Sequence, residues 1–342
     1  MKIAIHQNDG GFGRHWIAYC IDHNIPYKTV NCYDSNIVND LNDCDALMWH
    51  HNHANPKDLL FAKELLYSLE TAGKLVYPDT KTTWFFDDKL GQKYLLEAIN
   101  LPLVPTFVFF SKKEALGWIS NAEWPLVFKL RSGAGSRNVK LIKNKRQAKR
   151  IIVKAFGKGL RQYDAYGGIR ERFRGYRLGK SSFKEVIKSI LHIIYPIQLE
   201  KSKGREKGYV YFQKFIPDCK YDIRVQLVGE KMWAMIRPVR ENDFRASGSG
   251  KIDSDPQKIP VEARKLSLDV VRRLKLQSAA IDLLPSKGGF LITEISYAFG
   301  IGPEDMEVGY WDNNMIWHPG EMNPFGWMIE DLIVKYNKRM SS

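Results

Sequence analysis

Phe290-Leu291-Ile292-Thr293-Glu294-Ile295-Ser296 and, upstream of it, Ala279-Ala280-Ile281-Asp282-Leu283-Leu284 read as a closing β-hairpin that turns at Ser286-Lys287-Gly288-Gly289. Each strand is strongly apolar, and each is interrupted by one carboxylate, Asp282 or Glu294. A lone carboxylate in such a strand is costly unless a cation or hydrogen bonds compensate it. Two of them on paired strands, all-oxygen in character, suit Mg2+. A structural salt bridge to Arg237 or Lys129 is the competing reading.

The hairpin has a neighbour of the same kind. Asp222-Ile223-Arg224-Val225-Gln226-Leu227-Val228 and Lys231 to Arg237 form an antiparallel pair turning at Gly229-Glu230. Alternation puts Asp222 and Arg224 on one face, and Arg237 ends the next strand. Before it, Tyr209 to Ile216 is a strand ending at Pro217-Asp218. Further upstream, Pro125 to Ile142 reads as strand, glycine-rich turn, strand. Lys129 ends an apolar strand, where a buried amine demands an anionic partner. Gly133 and Gly135 offer backbone N–H groups to whatever approaches the turn. That is a phosphate site in outline; a loop with a snorkelling lysine is the alternative. A helix runs from Lys89 to Asn100, a strand covers Phe107 to Phe110, and another helix starts after Ser111.

The first hundred residues have a different rhythm. Strand-like runs at Lys2 to Ile5, Tyr27 to Val30, Ala46 to Trp49 and Leu75 to Tyr77 alternate with helical patterns at Trp16 to Ile21 and Pro56 to Ala72. Strands alternating with helices predict a parallel sheet covered by helices. Gly11 and Gly13 lack the full spacing of a dinucleotide fingerprint. The cluster His50-His51-Asn52-His53 lacks a further ligand for zinc, and reads better as a polar loop at a strand's carboxyl end, touching substrate. The fold class expected is α/β (α+β): an N-terminal parallel α/β domain over residues 1–100, then two subdomains with antiparallel sheets, 101–212 and 213–342.

These segments, in this order, resemble the ATP-grasp superfamily, and within it the RimK-like and glutathione-synthetase-like carboxylate–amine ligases. The resemblance spans about residues 75–300. Asp88-Lys89 matches the family's lysine that opens a helix after an Asp. Lys129, with Arg131 to Asn138, matches the lysine before a glycine-rich lid. Gln213-Lys214-Phe215-Ile216 matches the hinge strand whose backbone reads adenine, although Lys214 stands where the family usually has Glu. Asp222, Arg224 and Arg237, and the turn Asp243-Phe244-Arg245, match the elements that follow. Asp282 and Glu294 match the paired metal carboxylates, but the usual Asn two residues later is Ser296.

The resemblance implies ATP as cosubstrate and two Mg2+ ions, with Mn2+ able to substitute, held by Asp282, Glu294 and Ser296. It implies nucleotide contacts from Lys89, Lys129, Ser132, Gly133, Gly135, Ser136, Gln213, Lys214, Phe215, Ile216 and Asp222. It gives Arg224, Arg237 and Arg245 a catalytic, charge-neutralising part. The implied reaction phosphorylates a carboxylate and lets an amine attack the acylphosphate, with the lid from Ser132 to Arg137 keeping water away. The substrates expected are a small-molecule, sugar-linked or peptide-linked carboxylate and an amine, as in cell-surface polysaccharide or peptide modification. Candidate acceptor loops are 8–15 and 49–53, with the stretch carrying Phe299, Gly300, Tyr310, Trp311, Trp317 and His318. Those aromatics either stack on a ring or anchor a C-terminal cover by burial.

Composition bounds the rest. The chain has 342 residues, 44% of them hydrophobic, which excludes intrinsic disorder. Cys20, Cys32, Cys44 and Cys219 lie too far apart for a CxxC motif. No 18-residue uncharged apolar run occurs, so a cytoplasmic protein is expected. Against 38 acidic residues stand 52 basic ones, a net charge of +14. Lys140 to Gly208 alone holds 20 basic and 5 acidic residues, so the other 273 are close to neutral. Residues 158–208 read as a basic insertion, in which Phe183, Val186, Ile187, Ile190, Leu191 and Ile194 recur at helical spacing. Such a helix either lies on an anionic membrane surface, making the protein peripheral there, or packs on the domain with a solvated basic face. A dimer is the oligomeric expectation. The alternatives to a ligase are a non-ligase ATP-dependent phosphotransferase and a nucleic-acid- or membrane-binding protein on the same scaffold. No RRM, KH, zinc-finger or helix-turn-helix signature is present, so no nucleic acid is expected.

Overall fold

The computed structural model describes residues 1–7, 11–133, 138–161, 173, 176, 204–240, 243–245, 251–302 and 304–341. It divides into two compact units, one of residues 1–86, 91–103 and 218–342, the other of residues 87–90 and 104–217.

In the first unit, β1 (Ile3–His6), β2 (Tyr27–Val30), β3 (Ala46–Met48) and β4 (Leu75–Tyr77) form a parallel sheet in the order β2-β1-β3-β4. Its central strands are apolar throughout because both faces are covered. Ala4, Leu47 and Val76 point one way, against Ala62, Leu65, Leu66 and Leu69 of α3 (Pro56–Thr71). Ile3, Ile5, Met48 and Tyr77 point the other way, against Trp16 of α1 (Gly13–Asp22). Asn55 caps α3 by accepting from Lys57 N, with Pro56 in the first turn. Two short helices, α2 (Ile37–Asp40) and α4 (Thr80–Thr83), fill the connections, and α5 (Lys89–Ala98) follows.

The second unit is built on β5 (Thr106–Phe109), β6 (Leu126–Lys129), β7 (Lys140–Ile142) and β10 (Val210–Lys214), antiparallel in the order β5-β10-β6-β7. One face packs on α6 (Lys112–Trp118) and α7 (Lys145–Ala155) through Leu126, Phe128, Ile142, Val210, Phe212, Ala115, Ala148 and Ile152. The other face carries Val127, Lys129, Tyr211 and Gln213. The basic insertion falls mostly outside the described residues, and its amphipathic stretch 183–194 does so entirely. Its two ends meet, since β8 (Leu160–Arg161) pairs antiparallel with β9 (Arg205–Glu206).

Back in the first unit, β11 (Tyr221–Val228), β12 (Lys231–Pro238), β13 (Ser278–Ser286), β14 (Gly289–Ser296), β15 (Tyr310–Trp311) and β16 (Trp317–His318) form an antiparallel sheet ordered β14-β13-β11-β12-β15-β16. Ile223, Val225, Leu227, Ala279, Ile281 and Leu283 project to one side with Ala263, Leu268 and Val271 of α8 (Val261–Leu274). The opposite side is polar at one end, where Asp222, Arg224, Arg237 and Asp282 lie, while Val228, Trp233 and Ala280 at the other end join the core of the parallel sheet. The last helix, α9 (Pro324–Met340), returns to the parallel sheet and buries Phe325, Met328, Ile329 and Leu332 with Ile3, Ile5 and Trp16. Neither α8 nor α9 is among the elements expected from sequence.

Candidate active site

The polar side of the six-stranded sheet is set by register. Asp222 lies opposite Arg237, Arg224 opposite Asp282, and Asp282 opposite Glu294. Arg237 donates from Nε and Nη2 to the two Asp222 oxygens, both at 2.7 Å. Arg224 forks onto Asp282 in the same way, at 2.7 and 2.8 Å. Arg237 Nη2 also lies 3.0 Å from Asp282 Oδ1, which joins the two pairs. Asp222, Arg237 and Asp282 are all buried. Burial pushes the Asp282 carboxyl up, but Arg224 and Arg237 outweigh it and hold it below the usual carboxylate range. Burial lifts the Asp222 carboxyl despite Arg237. The Asp282 charge holds the Arg224 guanidinium above its ordinary value. Arg237 is thus one partner of Asp282, as the competing sequence reading has it, and Arg224 is the principal one.

Glu294 reaches this row through a feature that alternation does not predict. Asp282 pairs with Glu294 but Leu283 pairs with Ile292, so Thr293 is an extra residue, a β-bulge. Its hydroxyl donates to Asp282 O at 3.1 Å. Ile292 and Ile295 are three residues apart yet share one core, which a period of two forbids and the bulge permits. That spacing is the sequence signal by which the bulge could be recognised. Ser296 Oγ donates to Ala298 O at 2.7 Å and accepts from Ala298 N. Two carboxylates and a hydroxyl on facing strands are an all-oxygen set that fits Mg2+. Among the described residues, no group of three or more His, Cys, Asp or Glu side chains forms a metal centre.

Arg245 sits in a turn where Asp243 accepts from its Nε and, at 2.6 Å, from its Nη2. The turn is tied by Arg240 N donating to Arg245 O.

In the second unit, Lys89 is buried and its Nζ donates to Gly133 O at 2.8 Å, while its backbone N donates to Arg131 O. Gly133, at φ +116°, directs its N–H to Asp87 Oδ1 at 2.6 Å and not outward, and Arg131 Nη2 binds Asp88. Ser132 Oγ donates to Glu206 Oε1 at 2.9 Å, and Arg131 N donates to Tyr209 OH. The start of the glycine-rich turn is therefore fastened by Asp87, Asp88, Glu206 and Tyr209, none of which is among the expected site residues except Asp88 as the family's Asp. Gly135 and Ser136 lie outside the described residues. Lys129, half-buried, ends β6 opposite Tyr211.

On β10, Gln213 is buried and donates to Thr106 Oγ1 at 3.1 Å. Lys214 extends to Glu123 at 3.0 Å, and its backbone N is taken by Pro105 O. Phe215 and Ile216 follow, half-buried.

Of the other candidate loops, residues 8–10 lie outside the described residues, and the described parts pack as follows. His51 is buried with Nε2 2.6 Å from Thr83 Oγ1, and burial pushes its imidazole down to about 3. His50 accepts from Phe12 N and stacks on the Phe12 ring, its imidazole pushed down to about 4 by burial. Trp311 packs on Trp317, Tyr310 stacks on His318, and Phe299 is buried beside Trp233. Phe299 and Trp311 are buried, whereas Tyr310, Trp317 and His318 are half-buried.

A family model described as a RimK-like ATP-grasp domain matches residues 199–313. By sequence the chain is 24% identical over 277 residues to the alpha-aminoadipate–LysW ligase LysX of Saccharolobus solfataricus, across 79% of this chain and 83% of that one. Among solved structures, a RimK domain ATP-grasp protein from Sphaerobacter thermophilus aligns with a TM-score of 0.57 at 14% identity, over 98% of this chain and 100% of that one. The ATP-grasp ligase PsnB, solved with a minimal precursor, Mg and ADP, aligns with a TM-score of 0.53 at 12% identity, over 98% and 97% of the two chains. The fold is that of an ATP-grasp protein, and residues 199–313 are similar to a RimK-like ATP-grasp domain. The chain is an ATP-dependent ligase that forms carbon–nitrogen bonds.

Proposed function

We propose that this ligase joins a peptide-linked or small-molecule carboxylate to an amine through an acylphosphate, with Arg224, Arg237, Asp282 and Glu294 at its chemical centre. The observation that carries the reading is the register row Arg224–Asp282–Glu294, with Arg237 joined to it, on the polar side of the sheet. A carboxylate oxygen attacks the γ-phosphorus of ATP and the bond to ADP breaks. The amine nitrogen then attacks the acyl carbon, phosphate leaves with the bonding pair, and the nitrogen gives up a proton. Phosphoryl transfer of this kind needs positioning and charge neutralisation more than a covalent partner. Two forked guanidinium groups match the geometry of phosphate oxygens. Lys89 and Lys129 supply further cations on the second unit, with Arg245 on the first. Asp282, Glu294 and Ser296 would hold Mg2+, which neutralises phosphate charge when bound. A peptide or protein substrate is favoured because LysX is named for joining alpha-aminoadipate to LysW, and PsnB was solved with a precursor. The basic residues 140–161 give the enzyme an electrostatic hold on anionic membrane surfaces.

The test is ADP release screened over carboxylate and amine pairs, with the amide identified by mass. Lys129→Ala and Glu294→Ala should each abolish ADP release in the productive pair, and retention of activity would sink the site assignment. Release of phosphorylated substrate with no amide would point to a phosphotransferase instead.

A further inference from the structure

β14 is the outermost strand of its sheet, so half of its backbone groups face away from any strand partner. At Ile295 a side chain takes that partner's place. Gln92, on α5 and buried, accepts from Ile295 N with its Oε1 at 3.0 Å and donates from Nε2 to Ile295 O at 2.8 Å. The same Nε2 donates to Phe85 O at 3.2 Å, so the carboxamide is held from behind. On the other side of the bulge, Ile292 N donates to Pro102 O at 2.7 Å. The two anchors bracket Thr293 and Glu294, and Ile295 lies between Glu294 and Ser296.

We propose that Gln92 is a positioning residue for the divalent-cation site: its carboxamide fixes the backbone at Ile295 and thereby the directions in which Glu294 and Ser296 project. The proposal rests on the reading of Asp282, Glu294 and Ser296 as the cation-binding set. A bulge interrupts the ladder where Glu294 emerges, so strand pairing to β13 alone leaves that carboxylate loosely aimed. Magnesium demands near-ideal octahedral geometry, and tolerances at such sites are about half an ångström. An amide that closes two hydrogen bonds on one residue restores the constraint the missing strand would have supplied. It does so without touching the ion, as outer-shell partners of metal ligands do.

The experiment measures Mn2+ binding to the full-length protein–ADP complex by electron paramagnetic resonance, beside a thermal melt of each variant. Gln92→Leu, which fills the volume and removes both bonds, should weaken Mn2+ binding by about tenfold or more and broaden the bound-ion spectrum. Gln92→Glu keeps the acceptor for Ile295 N and should fall between Gln92→Leu and the native chain; it also serves if Gln92→Leu does not fold. Leu332→Ala in α9 is the control, lowering the melting midpoint by emptying a remote core position while leaving Mn2+ affinity unchanged. If Gln92→Leu and Gln92→Glu bind Mn2+ as the native chain does while Glu294→Gln does not bind it, the positioning role is wrong and the metal reading stands. If Glu294→Gln binds Mn2+ normally, the metal reading falls and the proposal with it.

Discussion

Asp282 and Glu294 are cross-strand neighbours, yet neutralising them should cost unequal amounts of stability. Asp282 is buried between two guanidinium groups, so Asp282→Asn leaves Arg224 and Arg237 to share Asp222. Breaking a buried pair on one side costs about 3 kcal/mol, which urea unfolding would register. Glu294 is only partly buried, and Glu294→Gln should cost under about 1 kcal/mol while slowing ADP release by about a hundredfold. If the two variants lost equal stability, Glu294 would belong to the ion-pair network and not to the reacting phosphate. His51 makes a different prediction, about pH. Burial holds its imidazole near 3, whereas the unfolded chain binds that proton near 6.5. The unfolded state therefore gains protons first as pH falls, so stability is full above about 6.5 and is lost toward 3. Between pH 7.5 and pH 5 the loss through His51 is about 2 kcal/mol. His51→Gln, which can still reach Thr83, should remove that slope in unfolding free energy; an unchanged slope would place the titration elsewhere.

At the scale of elements, the strands were legible because their signals are local. Tyr27–Val30, rich in β-formers, and the apolar run Leu75–Tyr77 are each bounded by turns, and both appear with the expected bounds. The Asp222-to-Arg237 and Asp282-to-Glu294 hairpins are legible from their glycine turns and apolar strands, but Glu294 joins the row through the Thr293 bulge, which alternation does not predict. What alternation cannot show is the partner of each charge: the forks of Arg224 on Asp282 and Arg237 on Asp222 depend on which strand lies between which. The fastening of Gly133 by Asp87, and of Ser132 by Glu206, joins residues 46 and 74 apart in sequence, so no local pattern carries it. α9 was hidden for a related reason. It packs against helix α1, some three hundred residues earlier, and Gly326 marks the crossing: a Cβ there would lie 2.4 Å from Tyr19 Cε2. Tyr19 OH in turn donates to Glu330 Oε1 at 2.7 Å, closing the contact. Gly326→Ala should therefore cost about 1–3 kcal/mol and lower the thermal midpoint, without altering Mn2+ binding to the ADP complex. A neutral effect would mean that the two helices separate easily.

For the molecule as a whole, the net charge of +14 is a question about one segment. Residues 140–161 hold nine basic side chains and no acidic one. Most of the helical positions among them are on α7, whose small and apolar residues Ala148, Ile152 and Ala155 are fully buried in the second unit's core. A helix whose apolar stripe is already packed has little left to insert into a bilayer, so what remains to it is Coulombic attraction. Attraction of that kind is screened within about 10 Å at 0.1 M salt and about 3 Å at 1 M. Vesicles of phosphatidylserine and phosphatidylcholine should therefore pellet the protein at low salt and release it at about 1 M. Lys145→Glu combined with Lys149→Glu should weaken the low-salt pelleting while leaving ADP release unchanged. Among the described residues no helix is long and apolar enough to cross a membrane. Pelleting that survived 1 M salt would therefore mean insertion by another route, and would direct attention to the apolar stripe at 183–194. Absence of pelleting at low salt would remove the membrane contact altogether, and leave the basic segment to act on the charge of the substrate.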